Sequence, residues 1–262
     1  MPILGGESWY GPMKVQRRTS LIAQNPLVHG GKASGIMEQT FEQVGMVGRP
    51  LLEAVEGFSR VLPQVTGADN SLRQVLRADL YRYCGKTDAR AFLTAYLRCP
   101  GFRFTYYLRK VAYYSGRKRS AGVLAYAYYR MMLHHYRFRY GFDISPTMSL
   151  GPGLYIGHFG GVVISPYATL GSNVNVAQGV TIGATSRGAR KGAPTLEDRV
   201  WVGAHAIIVG KITIGSDALI APGAYVNFDV PSGAMVLGNP GKVISMSGSA
   251  GYINNVMPKG LR

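Results

Sequence analysis

From residue 142 onward, aliphatic side chains return at a fixed interval. Ile144, Leu150 and Ile156 are six apart; so are Ile164, Leu170, Val176 and Ile182, and again Val202, Ile208, Ile214, Ile220 and Val226. Small residues, mostly Gly, Ala or Ser, follow most of these positions. Each step predicts a short strand and a sharp turn with the aliphatic side chain pointing inward, which is the hexapeptide pattern of a parallel β-helix. The rhythm breaks twice. Ile156 to Ile164 is a step of eight, an insertion of two that holds His158 in the apolar run GLYIGHFGGVVI. Ile182 to Val202 is a step of twenty, and its polar segment ATSRGARKGAPTLED is predicted to project as a loop.

The first half of the chain follows a helical period instead. Met37, Phe41, Val44, Leu51, Leu52, Val55, Phe58 and Leu62 recur at three- and four-residue steps, with Gly48 and Pro50 dividing them into two helices. A further helix is predicted over 71–83, with Leu72, Leu76 and Leu80 on one face and a stop near Gly85. The expected organisation is an N-terminal arm at 1–35 and a helical domain at 36–142. A β-helix at 143–246 and a tail at 247–262 follow. The fold class is mainly β: a C-terminal left-handed parallel β-helix behind an N-terminal α-helical domain, the handedness being an implication of the resemblance given below.

Charge separates the same two halves. The net charge is +16; residues 1–142 hold 21 Lys and Arg against 8 Asp and Glu, and residues 143–262 hold 8 against 5. Residues 89–142 contain no acidic residue, and ten tyrosines there alternate with arginines and lysines. Three readings fit. The rings can pack between helices while the basic heads reach water. The segment can contact an anionic membrane face or an anionic substrate. It can bind nucleic acid, although no recognition-module pattern is present, and no nucleic-acid partner is expected. Hydrophobic content of 47% argues against disorder. Cys84 and Cys99 form neither a CxxC motif nor a disulfide framework, no signal-peptide pattern opens the chain, and Ala121–Tyr129 is too short an apolar run to cross a bilayer. The expected location is cytoplasmic, with peripheral contact at the inner membrane face as an extension of the second reading.

The segments GLYIGHFGGVVI, VNVAQGVTIG, VWVGAHAIIVGKITIGSDALIAPGA and VLGNPGKVI resemble the left-handed β-helix acyltransferases, in particular the serine acetyltransferase branch. The match covers roughly 142–244. The resemblance implies a left-handed winding with three steps per coil, a homo-trimer or a hexamer of paired trimers, and acetyl-CoA as co-substrate. It implies that His158 is a general base and that Asp143, one coil earlier, orients it. It places Gly183, Ala204 and Ala221 along the path of the pantetheine arm and Lys242 near the nucleotide phosphate.

These roles suit the chemistry. Moving an acetyl group from a thioester to a hydroxyl requires the alcohol proton to leave as the new C–O bond forms, and a neutral imidazole accepts it near neutral pH. A carboxylate on the other ring nitrogen fixes the tautomer and stabilises the imidazolium. With three steps per coil, Asp143 and His158 are expected on one prism edge, about 4.8 Å apart in stacking height.

Two positions depart from the serine acetyltransferase pattern. The resemblance implies an aspartate before the histidine and an Arg-His pair in the long loop, both serving the amino acid; here Gly157, Gly192 and Ala193 stand there. The wording IGHFGGVVISPYATLG is similar to capsule, exopolysaccharide and colanic-acid acetyltransferases. The expected acceptor is therefore a saccharide hydroxyl, with serine as the alternative acceptor and a non-catalytic membrane-associated scaffold as a second alternative. Arg187, Arg190 and Lys191 can face such an acceptor or simply solvate the loop, and the match of Asp88 to a further substrate aspartate is loose. His134 and His135 are expected to be structural or exposed. No metal is expected: His158 and His205 are the only histidines of the second half, and two imidazoles do not complete a three-histidine zinc site.

Overall fold

A computed structural model describes residues 67–115 and 120–258. The expected arm at 1–35 and the helix pair divided at Gly48 and Pro50 lie outside the described residues. Among the described residues, four helices precede a solenoid of short strands: α1 (Gly67–Cys84), α2 (Ala89–Arg98), α3 (Pro100–Tyr114) and α4 (Ser120–Tyr140).

The strands follow the six-residue rhythm. The first coil is β1 (Phe142–Ile144), β2 (Ser149–Leu150) and β3 (Tyr155–Ile156); the second is β4 (Val162–Ile164), β5 (Thr169–Leu170) and β6 (Asn175–Val176). The third is β7 (Thr181–Gly183), β8 (Thr195–Leu196) and β9 (Trp201–Val202), and the fourth is β10 (Ile207–Val209), β11 (Thr213–Ile214) and β12 (Leu219–Ile220). The last coil holds β13 (Tyr225–Val226) and β14 (Met235–Leu237), and β15 (Lys242–Ser245) turns back antiparallel on β14 to close the end. Every third strand stacks in parallel on the one a coil below, which makes three faces. Face one is β1-β4-β7-β10-β13, face two β2-β5-β8-β11, and face three β3-β6-β9-β12-β14-β15. The register is in step with the sequence period: Ile144 lies opposite Ile164, and Ile164 opposite Ile182.

The core is richer than the single aliphatic position predicts. Each step buries a second side chain two residues earlier, as at Phe142, Leu154, Val162, Val174, Val180, Val200, Ala206 and Ile212. Alternation along a strand explains this, since residues i and i+2 point to the same side. Full burial of such a side chain is worth about 1.5–3 kcal/mol, and repetition supplies the stability. The second break also differs from expectation. Leu196, inside the segment predicted to loop out, is fully buried and pairs with Leu170 and Ile214. Six residues separate it from Val202, so the rhythm resumes earlier and the excursion covers only about 184–194. Thr185 and Gly192 exchange two backbone hydrogen bonds of 2.9 Å at its base.

The helices lie on the first coils and share the solenoid core, with Phe104, Tyr107, Leu108 and Val111 of α3 in one apolar cluster with Ile144, Ile156 and Ile164. Local signals set their ends. Asp88 caps α2 by accepting from Ala91 N at 2.7 Å, which gives this residue a structural role. Gly85 ends α1 at φ +63. At Gly101, α3 presses so closely on the solenoid that a Cβ would run into the Ile156 carbonyl.

Polar contacts lock the two layers. Asp79 on α1 is fully buried. It accepts from Arg109 Nε at 2.9 Å, from Gly153 N at 2.7 Å and from Leu154 N at 3.1 Å. Arg109 also donates to the carbonyls of Leu150 and Gly151 at 2.8 and 2.6 Å. Arg82 donates to Gly153 O at 3.2 Å, to Asn175 Oδ1 and to the Asn254 carbonyl, and burial lowers its pKa to about 10. The last of these contacts ties the C-terminal segment back to α1, and Met257 there is buried.

Candidate active site

The expanded corner at His158 is built from backbone freedom. The chain leaves β3, makes the inserted turn His158–Phe159–Gly160–Gly161 and enters β4. Gly160 and Gly161 have φ +111 and +64, a region that side-chain-bearing residues avoid. Gly160 N donates to Tyr140 O at 2.8 Å and Val162 N to Gly141 O at 3.1 Å, so the turn rests on the junction between α4 and β1. His158 and Phe159 face outward, and Phe159 is 65% exposed. Among the described residues no hydrogen bond engages the His158 imidazole.

Asp143 occupies the middle of β1, exposed between buried Phe142 and Ile144, and lies opposite Val163 of the next coil. Its carboxylate is taken by another residue: Arg137 Nη2 donates to Asp143 Oδ1. Arg137 stands in the last turn of α4, and Gly141 at φ +67 folds the helix end back onto β1, which brings the guanidinium over the carboxylate. Among the described residues no hydrogen bond joins Asp143 to His158. Arg137 carried no sequence signal, because a six-residue separation means contact only when a helix-to-strand reversal lies between.

The topology groups other singled-out residues. His158 follows β3, Ala204 follows β9 and Ala221 follows β12, so all three lie on the edge between faces three and one. Ala204 and Ala221 fall on adjacent coils, with Gly223 N donating to Ala204 O at 2.8 Å. Gly183 ends β7 on the far side of face one, where a Cβ would stand 3.3 Å from Val209 Cγ1. Lys242 opens β15 and is exposed at the closed end of the solenoid. His205, at φ +58 on the His158 edge, lays its ring over Gly179, where a Cβ would collide with it. That is a structural corner residue. Gly157 leaves space beside Tyr155, whose ring edge is 3.3 Å from where a Cβ would be. In the loop, Arg190 pairs with Asp229 at 3.1 Å, and Thr213 N with Arg190 holds the Asp229 carboxyl below its usual range. Among the described residues no three His, Cys, Asp or Glu side chains come together as a metal cluster.

No family model matches the chain. Individual proteins do. The serine acetyltransferase of Synechococcus elongatus is 43% identical over 119 residues, 45% of this chain and 49% of that protein. That of Bacillus pumilus is 36% identical over 151 residues, 54% of this chain and 70% of that protein. Against the first, the chain spans about half of the relative's length. Among solved structures, a Neisseria gonorrhoeae serine acetyltransferase in complex with serine is similar at 32% identity and TM-score 0.55, over 68% of this chain and 71% of that one. These relatives correct two expectations. The resemblance to capsule and exopolysaccharide acetyltransferases and the saccharide acceptor both give way, because the similar proteins are serine acetyltransferases. The missing charges at Gly157, Gly192 and Ala193 do not by themselves select a sugar.

Proposed function

Since the chain belongs to the serine acetyltransferase family, we propose that it transfers the acetyl group of acetyl-CoA to the hydroxyl of L-serine, with His158 as general base. The observation that carries this reading is the opened corner: an exposed imidazole with no hydrogen-bond partner among the described residues, at a turn that exists only because two residues were inserted. The serine hydroxyl gives its proton to a ring nitrogen as its oxygen bonds to the thioester carbonyl carbon. The tetrahedral intermediate collapses, the C–S bond breaks, and the departing thiolate takes the proton back. The products are O-acetylserine and free coenzyme A.

Asp143 serves as the partner that orients His158 once Arg137 releases it, and the released Arg137 meets the serine carboxylate. This exchange supplies the positive charge that positions 192 and 193 lack. Gly183, Ala204 and Ala221 leave the pantetheine arm room, and Lys242 neutralises nucleotide phosphate. A homo-trimer completes the groove between neighbouring prisms, as the resemblance implies. Thiol release from acetyl-CoA tests the reading. Turnover is expected with L-serine, and His158→Ala is expected to lower kcat by about 10²–10⁴-fold. Absence of serine-dependent thiol release overturns it. Arg137→Ala is expected to raise the KM for serine more than it lowers kcat.

A further inference from the structure

The outer side of α4 has no role in this chemistry. Tyr129, Leu133 and Tyr140 face inward and are buried against the rest of the fold. Leu124, Met131 and Phe138 face away, at 73%, 61% and 73% exposure. They are seven residues apart, which is close to two helical turns, so they form one ridge about 21 Å long. Val123 and Tyr128, each about half exposed, widen it. At about 100° per residue, exposed Arg130 borders the ridge on one side and Arg139 on the other. Exposed His135 lies on the same face between Met131 and Phe138, and His134 stands edge-on to Phe138 at 4.8 Å, so the ridge is apolar with a histidine pair near its C-terminal end. A stripe of this kind marks an interaction surface more than scattered exposure does.

We propose that this face of α4 docks peripherally on an anionic lipid membrane. The arrangement matches a helix lying in the interface, with its apolar ridge among the acyl chains and its flanking arginines at the phosphates. Charge decides between occupants. No Asp or Glu is present from residue 89 to 142, so a second copy would bring arginines against arginines, while an anionic surface complements them. The helix lies on the membrane and does not enter it: no described helix is long and apolar enough to cross. The proposal is independent of the acceptor.

Flotation of the full chain with vesicles tests it. Binding is expected to phosphatidylcholine vesicles containing about one third phosphatidylserine and not to pure phosphatidylcholine, and it is expected to weaken as salt rises. The triple variant Leu124→Glu, Met131→Glu, Phe138→Glu is expected to lose binding while keeping its thermal melt and its acetyl transfer. Arg130→Gln with Arg139→Gln, which leaves the ridge intact, is expected to weaken binding by about fivefold per arginine. It carries the test if the triple variant does not fold. Equal binding to both vesicle types, or no loss in the arginine variant, overturns the proposal. A smaller assembly mass for the glutamate variant in sedimentation also overturns it, because the face then belongs to a second copy.

Discussion

In the solenoid, burial follows position: an aliphatic residue at each sixth place, a second two places earlier, and a turn of small residues, coil after coil. In the helical layer, burial follows partnership. Asp79 is fully buried because Arg109, Gly153 N and Leu154 N surround it. The tyrosines pack as a chain of rings, Tyr107 on Tyr136 at 5.3 Å, Tyr136 on Tyr140 at 5.2 Å and Tyr114 on Tyr129 at 5.4 Å. Arg103 lies 5.2 Å over Tyr96 and Lys110 lies 5.5 Å over Tyr106. Burial raises the Tyr106 and Tyr107 hydroxyls far above the usual phenol range. A repeat spreads stability over many equivalent contacts, whereas a partnership concentrates it in a few. The candidate site lies where the two meet, with Arg137 from the helical layer holding Asp143 of the first coil.

The contrast predicts unequal responses to substitution. The largest is at Asp79. Its removal leaves Arg109 buried and two backbone donors unmet, so Asp79→Ala is expected to cost about 3–5 kcal/mol in denaturant unfolding. Leu196→Ala is expected to cost about 2–5 kcal/mol, in line with any fully buried solenoid position, although it lies within the polar second break. Shortening the adjacent excursion within 186–191 should change stability far less, which separates the buried strand from the loop it follows. The smallest effect concerns acid. Arg199 holds Asp217 below the usual carboxyl range through contacts of 2.6 and 2.7 Å, and Asp229 is lowered by Thr213 N and Arg190. Their stabilisation is present above pH 3.8 and is lost as pH falls from there through the lowered values. Both pairs are well exposed, so each contributes less than about 1 kcal/mol. Melting temperature against pH, for wild type and for Asp217→Asn with Asp229→Asn, checks this.

The candidate site was legible in proportion to how local its cause is. The eight-residue step names His158, and the following glycines account for the turn that exposes it. The corner shared with Ala204 and Ala221 follows from counting steps. The partner of Asp143 did not follow, because an arginine on a helix acquires a strand carboxylate only when the helix end folds back. The expectation of a sugar acceptor failed as well. It rested on which charges three positions lack and on the wording IGHFGGVVISPYATLG, both local readings, and the serine acetyltransferase relatives overturn it.

Reading the chain as text is enough for the strand register, the inward side chains and the opened corner, since stacking repeats the same short-range demand on every coil. The guanidinium over Asp143, the buried Asp79–Arg109 pair and the bare outer ridge of α4 needed the folded molecule. Each depends on a chain reversal or on separate elements coming together or failing to, and such encounters leave no period behind.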